Sequence, residues 1–376
     1  MSWVACILLK MRLLHFADLH LDTPFAWAPP PVAARRRQAI RDTLSAICAI
    51  ARDRKVDALT CGGDLYEHDR FTADTAAFLV ATFADLHPLP VLISPGNHDW
   101  LSPASIYRTA KWSPNVRIFE NDRLEPYQLS HWLTLWGAAH RAPANTDDFL
   151  RDFHARAQGV NVGLFHGTER SGIPDQGAGK EPHAAFSAYE IGSAGLVHAL
   201  LGHFHMPIDG SGYTYPGNPE PLSFGETGVR GAVLVEVNED SSIRRERVPV
   251  TQTVIQDLSV DVSSSATAQD VLDRVGAALA GRTGLARVSL KGEVSPTLMI
   301  EPGVLDGVRA GLEYVQFDTR GLWPAYDLDE IGQEKTVRGQ FVRDVLESDL
   351  DEGERRSVIV TGLRALAGRS DLKGVP

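Results

Sequence analysis

Cysteine is scarce in this 376-residue chain: Cys6, Cys48 and Cys61 are the only three, and their spacing matches no metal-ligand pattern. A disulfide framework and a thiolate metal centre are both excluded on that count. The three read as reduced core residues of a cytoplasmic protein. Long apolar runs are also missing; none approaches the ~20 residues of a membrane span. The opening MSWVACILLKMRLL is only briefly apolar, and Lys10 and Arg12 end the run. It lacks a basic start and a small-residue cleavage site, so no signal peptide is expected. Met11 could serve as the start, because the strand that matters begins at Arg12.

Excess positive charge is absent too. The formal net charge is −11, whereas a chain that holds nucleic acid by bulk electrostatics would be basic. Any nucleic-acid role must use a local patch, bound metal or a partner. No G-x-S-x-G surrounds a serine, and no glycine-rich loop of a phosphate-cradling NTPase occurs. There is no internal repeat, and the only low-complexity tract is Pro29-Pro30-Pro31.

What is present is an alternation of strands and helices over residues 11–250. Strand character is strong at 12–16, 56–61, 91–94, 160–165 and 197–201, and shorter strands are expected within 116–137. Helical spacing puts Ile40, Leu44, Ile47 and Ala51 on one face of 33–53. It puts Ala76, Leu79, Val80 and Phe83 on one face of 73–86. Ser102-Pro103 predicts a third helix running to Trp112. This pattern predicts an α/β domain with helices on sheet faces. After residue 250 the histidine motifs end, and a small separate α/β domain follows: strand 254–262, helix 267–280, strand 286–291, helix 303–312, strand 313–318. A loop at 321–332 and a helical, charge-rich tail at 333–367 complete the chain. In that tail Val337, Phe341, Val342, Val345 and Leu346 make an apolar stripe at helical spacing.

Each of the five strong strands is followed by polar side chains that bind metals. Asp18 and His20 follow the first (FADLHLD), and Gly62-Gly63-Asp64 the second. Asn97 and His98 follow the third (SPGNHDW), His166 the fourth (LFHG), and His203 and His205 the fifth (LGHFH). Ligands of α/β sheets bind at the carboxyl ends of strands, so a sheet that gathers these ends makes one cleft of imidazoles, carboxylates and an amide. Such donors suit Mn, Fe, Zn or Co. Asp64, in its glycine-flanked turn, is the natural bridge between two ions. Two ions ~3.5–4 Å apart bind both the attacking and the leaving oxygen of a phosphoester. His15 reads as core. His87, His131, His140, His154, His183 and His198 read as caps or surface groups. Arg35-Arg36-Arg37 and Arg244, Arg245 and Arg247 read as solvated faces.

The ordered set D-x-H, G-D, G-N-H-D, H and G-H-x-H resembles the calcineurin-like metallophosphoesterases. The opening HFADLHLDTPF and the later YPGNPEPLSFGETGVRGAVLVEV are similar to the SbcD-type DNA repair exonucleases, especially their YhaO-like group. KTVRGQFVRDVL at 335–346 resembles a helix near the end of such chains. The resemblance implies a β-sandwich flanked by helices at 11–250, a small α/β capping domain at 251–325, and a helical tail at 326–376 that could dock a partner. It implies one ion held by Asp18, His20, Asp64 and His205, and another by Asp64, Asn97, His166 and His203, with Mn2+ as the typical metal. His98 matches the catalytic histidine, and Glu67, three residues beyond Asp64, the carboxylate that orients it; His68 competes for that role. Asp99 is expected to hold its loop by bonding local backbone. The implied activity is 3′→5′ exonuclease and endonuclease cleavage of DNA in double-strand-break repair. The implied partners are DNA, a coiled-coil ATPase of the SbcC type and a second copy of the chain. A phosphatase or small-molecule phosphodiesterase of the same fold is the alternative.

Overall fold

The computed structural model describes residues 9–170, 182–298, 305, 307–309 and 311–368. Cys6 and residues 303, 304, 306 and 310 of the helix expected at 303–312 lie outside the described residues. The chain divides into two units, residues 1–253 and 254–376.

The first unit runs β1 (Lys10–Phe16), α1 (Pro30–Asp53), β2 (Ala58–Cys61), α2 (Ala73–Ala84), β3 (Val91–Ile93), α3 (Ile106–Thr109), β4 (Val116–Ile118), β5 (Glu125–Gln128), β6 (Leu133–Gly137), β7 (Val160–His166), α4 (Ala188–Ser193), β8 (His198–Gly202), β9 (Ile208–Asp209), β10 (Tyr213–Tyr215), β11 (Gly231–Asn238) and β12 (Ile243–Pro249). One sheet has the order β12-β11-β1-β2-β3-β4 and the other β5-β6-β7-β8-β10-β9. In the first, β1 to β4 are parallel; in the second, β6, β7, β8 and β10 are.

Side chains alternate across a strand, and β1 shows what this builds. Leu13 packs with Leu92, Leu135, Val162, Leu200 and Val235 in an apolar layer between the sheets. Leu14 and Phe16 point the other way, into a core with Ile40, Leu44 and Ile47 of α1 and Leu79 and Phe83 of α2. The outer face of the second sheet packs Phe165, Ala199 and Leu201 against Ile191 of α4. The fold is thus a two-sheet sandwich with helices outside.

Arg36, one of the arginines expected to be solvated, is buried. It faces inward on α1, donates to Glu220 Oε1 at 2.7 Å and to the Pro221 carbonyl, and is 1% exposed. His140 and His198, expected as caps or surface groups, are buried as well. The third helix is four residues long rather than the length to Trp112. Ser102 instead closes turns, its carbonyl accepting from the Ser105 amide, and Tyr66 Oη accepts the Ile106 amide.

The second unit holds a parallel sheet, β13 (Ile255–Asp261), β14 (Leu285–Val294) and β15 (Tyr314–Pro324), with α5 (Ala268–Leu279) on it. The third strand continues to Pro324, into the stretch expected to be loop. Helices α6 (Leu328–Gln333), α7 (Val337–Leu346) and α8 (Glu352–Leu366) follow. Ile331, Val342, Val345, Ile359 and Leu363 form their own cluster with Phe341 packed against it, so three of the five residues of the α7 stripe face inward; Val337 and Leu346 remain exposed. Among the described residues no helix is long and apolar enough to cross a membrane.

Candidate metal centre

The loops after β1, β2, β3, β7 and β8 meet at one end of the sandwich. The first two run side by side: the Asp18 amide donates to the Gly63 carbonyl, that of His20 to Asp64, and that of Leu21 to Leu65. Leu19 and Leu21 enter the core while Asp18 and His20 turn to the site. Asp18, His20 and Asp64 adopt left-handed backbone, with φ of 54°, 53° and 52°, and His203 has φ 113°. Few non-glycine residues take such values, and strain of this kind clusters at functional sites. Two glycines let the loops close up. A Cβ on Gly63 would stand 2.7 Å from His166 Nδ1, and one on Gly96 2.8 Å from the same atom.

Asp64 sits at the centre, 3% exposed. Its Oδ2 lies 3.6 Å from His20 Nε2 and 3.3 Å from His166 Nε2, and its Oδ1 accepts the His98 amide at 2.8 Å. His166 Nε2 is also 3.0 Å from Asn97 Oδ1 and 3.3 Å from His203 Nδ1. The His203 amide donates to Asp18 Oδ1 at 2.9 Å. Asp18, His20 and His205 have ligand atoms within 4.8 Å of one another, as do Asp18, Asp64 and His166. The seven residues expected as ligands are therefore brought together, and so are His98 and Glu67.

The donor set fits divalent cations. A carbonyl or carboxylate can only accept, so its imidazole partner must carry the proton on the facing nitrogen. His166 Nδ1 donates to the Gly62 carbonyl at 2.9 Å, and His20 Nδ1 to Glu67 Oε1 at 2.8 Å. Each ring then aims the lone pair of Nε2 at Asp64. The buried His20 Nε2 has no hydrogen-bond partner. Facing lone pairs in a buried site require a positive charge between them. A proton can supply it: burial pushes the His166 imidazole down, but Asp64 and Asp18 outweigh this and raise it to about 9. Burial raises the Asp18 carboxyl while His166, His205 and His20 pull against it.

Glu67 spans two rings. Its Oε2 accepts from His98 Nδ1 at 3.0 Å while Oε1 holds His20. Burial raises the Glu67 carboxyl, but the bonds from His20 and His98 prevail and bring it to about 2. The Glu67 bond, against burial and with help from Asp64, lifts His98 to about 9. The His98 side chain is 47% exposed, open to a substrate. His68 stacks on Trp100, ring centroids 4.0 Å apart, and bonds Ser102 Oγ. Asp99 accepts the amides of Gly96, Asp64 and Leu65 and the hydroxyl of Tyr107, which ties the β2 and β3 loops together.

Two groups lie outside the motifs. His140 Nε2 donates to the His166 carbonyl at 2.8 Å. Glu226 accepts from His205 Nδ1 at 2.8 Å, and burial, which would raise its carboxyl, is overcome by that bond, leaving it at about 2. Glu226 lies within the 215–237 stretch that resembles the repair exonucleases, but no spacing rule marks it.

Comparison with known proteins agrees with this geometry. Residues 11–216 match the family model described as calcineurin-like phosphoesterase. The chain is 25% identical to "Uncharacterized metallophosphoesterase YhaO" of Bacillus subtilis, covering 92% of this chain and 90% of that one. It is 27% identical to "DNA double-strand break repair protein Mre11" of Methanopyrus kandleri, over 70% of this chain and 62% of the relative. The protein of the same name from Haloferax volcanii is 28% identical, over 64% and 53%. The family model spans more than half of the chain and the five motif loops converge within it, so the chain belongs to the calcineurin-like phosphoesterases, a family of metal-dependent hydrolases.

Proposed function

We propose that the chain is a two-metal nuclease that cuts DNA phosphodiester bonds as a 3′→5′ exonuclease and as an endonuclease in double-strand-break repair. The observation that carries this reading is the half-exposed His98, held by Glu67 beside the buried ligand cluster. A ring so placed serves a phosphoester whose oxygens rest on the cluster. The two relatives named as break-repair proteins support DNA as the substrate. One ion would be held by Asp18, His20, Asp64 and His205, the other by Asp64, Asn97, His166 and His203. Nitrogen and oxygen donors without thiolate suit Mn2+. Bound divalent ions supply Lewis acidity toward phosphoryl oxygens and lower the pKa of bound water.

The protein's own groups do the remaining work. Glu67 takes the Nδ1 proton of His98 as a hydrogen bond, so Nε2 faces the open side. With its pKa lifted to about 9, the ring carries a proton on both nitrogens near neutral pH. It donates the Nε2 proton to the departing sugar oxygen. Asp64 Oδ1 holds the His98 backbone, and Asp99 clamps the loop behind it.

The net charge of −11 supports a subunit that borrows DNA affinity from a partner: a coiled-coil ATPase of the SbcC type docked on the 326–376 tail, with a second copy of the chain completing the assembly. Residues 11–250 form the catalytic domain and 251–325 the cap. The buried free thiols of Cys48 and Cys61 suit the cytoplasm. The test is purified protein with Mn2+, given end-labelled duplex DNA and, separately, p-nitrophenyl phosphate. Stepwise loss of nucleotides from 3′ ends is expected. Rapid monoester hydrolysis with the DNA intact overturns the reading in favour of a phosphatase.

A further inference from the structure

The imidazoles of the cluster are backed unequally. His166 gives its Nδ1 proton to the Gly62 carbonyl, a neutral acceptor. His20 and His205 give theirs to carboxylates, Glu67 and Glu226. Glu226 belongs to a turn 21 residues beyond His205, and its two oxygens are divided. Oε1 accepts from His205 at 2.8 Å. Oε2 accepts from the Leu222 amide and from Asn218 Nδ2, both at 2.6 Å. The turn is tied to the His205 backbone by Arg230, which donates to the Glu226 carbonyl at 2.8 Å and to the His205 carbonyl at 2.7 Å. One carboxylate oxygen thus holds the turn and the other holds the ring.

We propose that Glu226 is a positioning residue of the metal centre: its Oε1 keeps the His205 proton on Nδ1, turns Nε2 toward the ion shared with Asp18, His20 and Asp64, and makes that ion the tighter of the two. The proposal rests on the two-metal reading. A carboxylate behind a metal-binding histidine sets its tautomer and raises its basicity. Around this ion stand two carboxylate ligands, Asp18 and Asp64, with Glu67 and Glu226 behind the rings. Around the other stand Asp64, the neutral Asn97, and His166 backed by a carbonyl. The difference in negative charge favours filling the first position first.

Glu226→Gln separates the two jobs of this side chain. The amide oxygen must stay with the Leu222 and Asn218 donors, which places the amide NH2 against His205 Nδ1. That nitrogen must then accept, so the proton moves to Nε2 and closes it to metal. The experiment is equilibrium dialysis of metal-free protein against Mn2+, with free Mn2+ read by its paramagnetic resonance. The wild type is expected to bind two ions in two steps. Glu226→Gln should lose affinity at the tighter step by roughly 10–100-fold, with the thermal midpoint of the metal-free protein unchanged. Wild-type affinity at the tighter step in Glu226→Gln overturns the proposal. A wild type that binds no Mn2+ overturns the two-metal reading instead. Should Glu226→Gln fail to fold, the Zn2+-loaded wild type labelled with 15N-histidine still decides: the His205 proton must sit on Nδ1, and a proton on Nε2 overturns the proposal.

Discussion

Glu67→Gln should damage two things at once, because both oxygens of this carboxylate accept from imidazoles: His20 Nδ1 at 2.8 Å and His98 Nδ1 at 3.0 Å. An amide offers one acceptor and one donor, so one ring must lose its partner and meet an NH2 instead. If the amide oxygen stays on His20, His98 loses its orientation and charge support, and cleavage slows by about 10²-fold, the lower end of acid–base assistance. If it turns to His98, the tautomer of His20 is no longer set, and Mn2+ affinity falls by roughly 10–100-fold. Initial cleavage rates of end-labelled DNA over a Mn2+ series separate the two. A higher Mn2+ requirement reports His20; a rate deficit that persists at saturating Mn2+ reports His98. At saturation the double variant Glu67→Gln/His98→Ala should be little slower than His98→Ala, because the pair acts as a unit. A wild-type rate with a wild-type Mn2+ requirement would refute the reasoning, as would losses that simply multiply.

Other outcomes follow from the same structure. Glu220→Ala leaves Arg36 as an unpaired buried charge, and urea denaturation should show a loss of about 3–5 kcal/mol; an unchanged midpoint would mean the pair contributes nothing. Burial lowers His15 from 6.5 to about 4 and His198 to about 3. Protons therefore favour the unfolded chain below pH 6.5: stability from these neutral rings is complete above pH 6.5 and falls as pH drops toward 4. At pH 5 the deficit is about 1.5 pH units per ring, or about 4 kcal/mol for the two. Urea titrations at pH 7 and pH 5 should show it, and replacing both by glutamine should flatten the slope. A chain ending at residue 325 loses the Arg356–Glu293 pair and the Arg356 contact with Trp323. It should stay soluble and keep basal nuclease activity while losing the ATPase partner; an insoluble product would make the tail structural rather than a docking element.

The sheets and the motif loops were legible because their signals are local. Apolar β runs such as Val91–Ile93 are followed within a few residues by the polar groups they deliver, and the ladder of β1, β2 and β3 carries those groups to one edge. What stayed hidden depends on distant partners. Arg36 reads as one charge in a run of three, yet on α1 it faces inward like Ile40 and Thr43, and its partner Glu220 lies 184 residues on. His198 and His140 look like isolated histidines, but their rings find Thr214, and Thr146 with the His166 carbonyl, inside the fold. Glu67 was legible as a carboxylate near His98, whereas its second bond to His20 required the β1 and β2 loops to be laid side by side. The Ser102-Pro103 pair looks like a helix start, but the chain turns there and winds only from Ile106, where Tyr66 captures the first amide.

Bound Mn2+ counted per chain in the wild type and in Asp64→Ala, with DNA cleavage measured on the same samples, tests the central claim most directly. Asp64 faces both His20 and His166, so its removal should lower the count from two and abolish cleavage together. Two ions and intact cleavage in Asp64→Ala would contradict the shared centre.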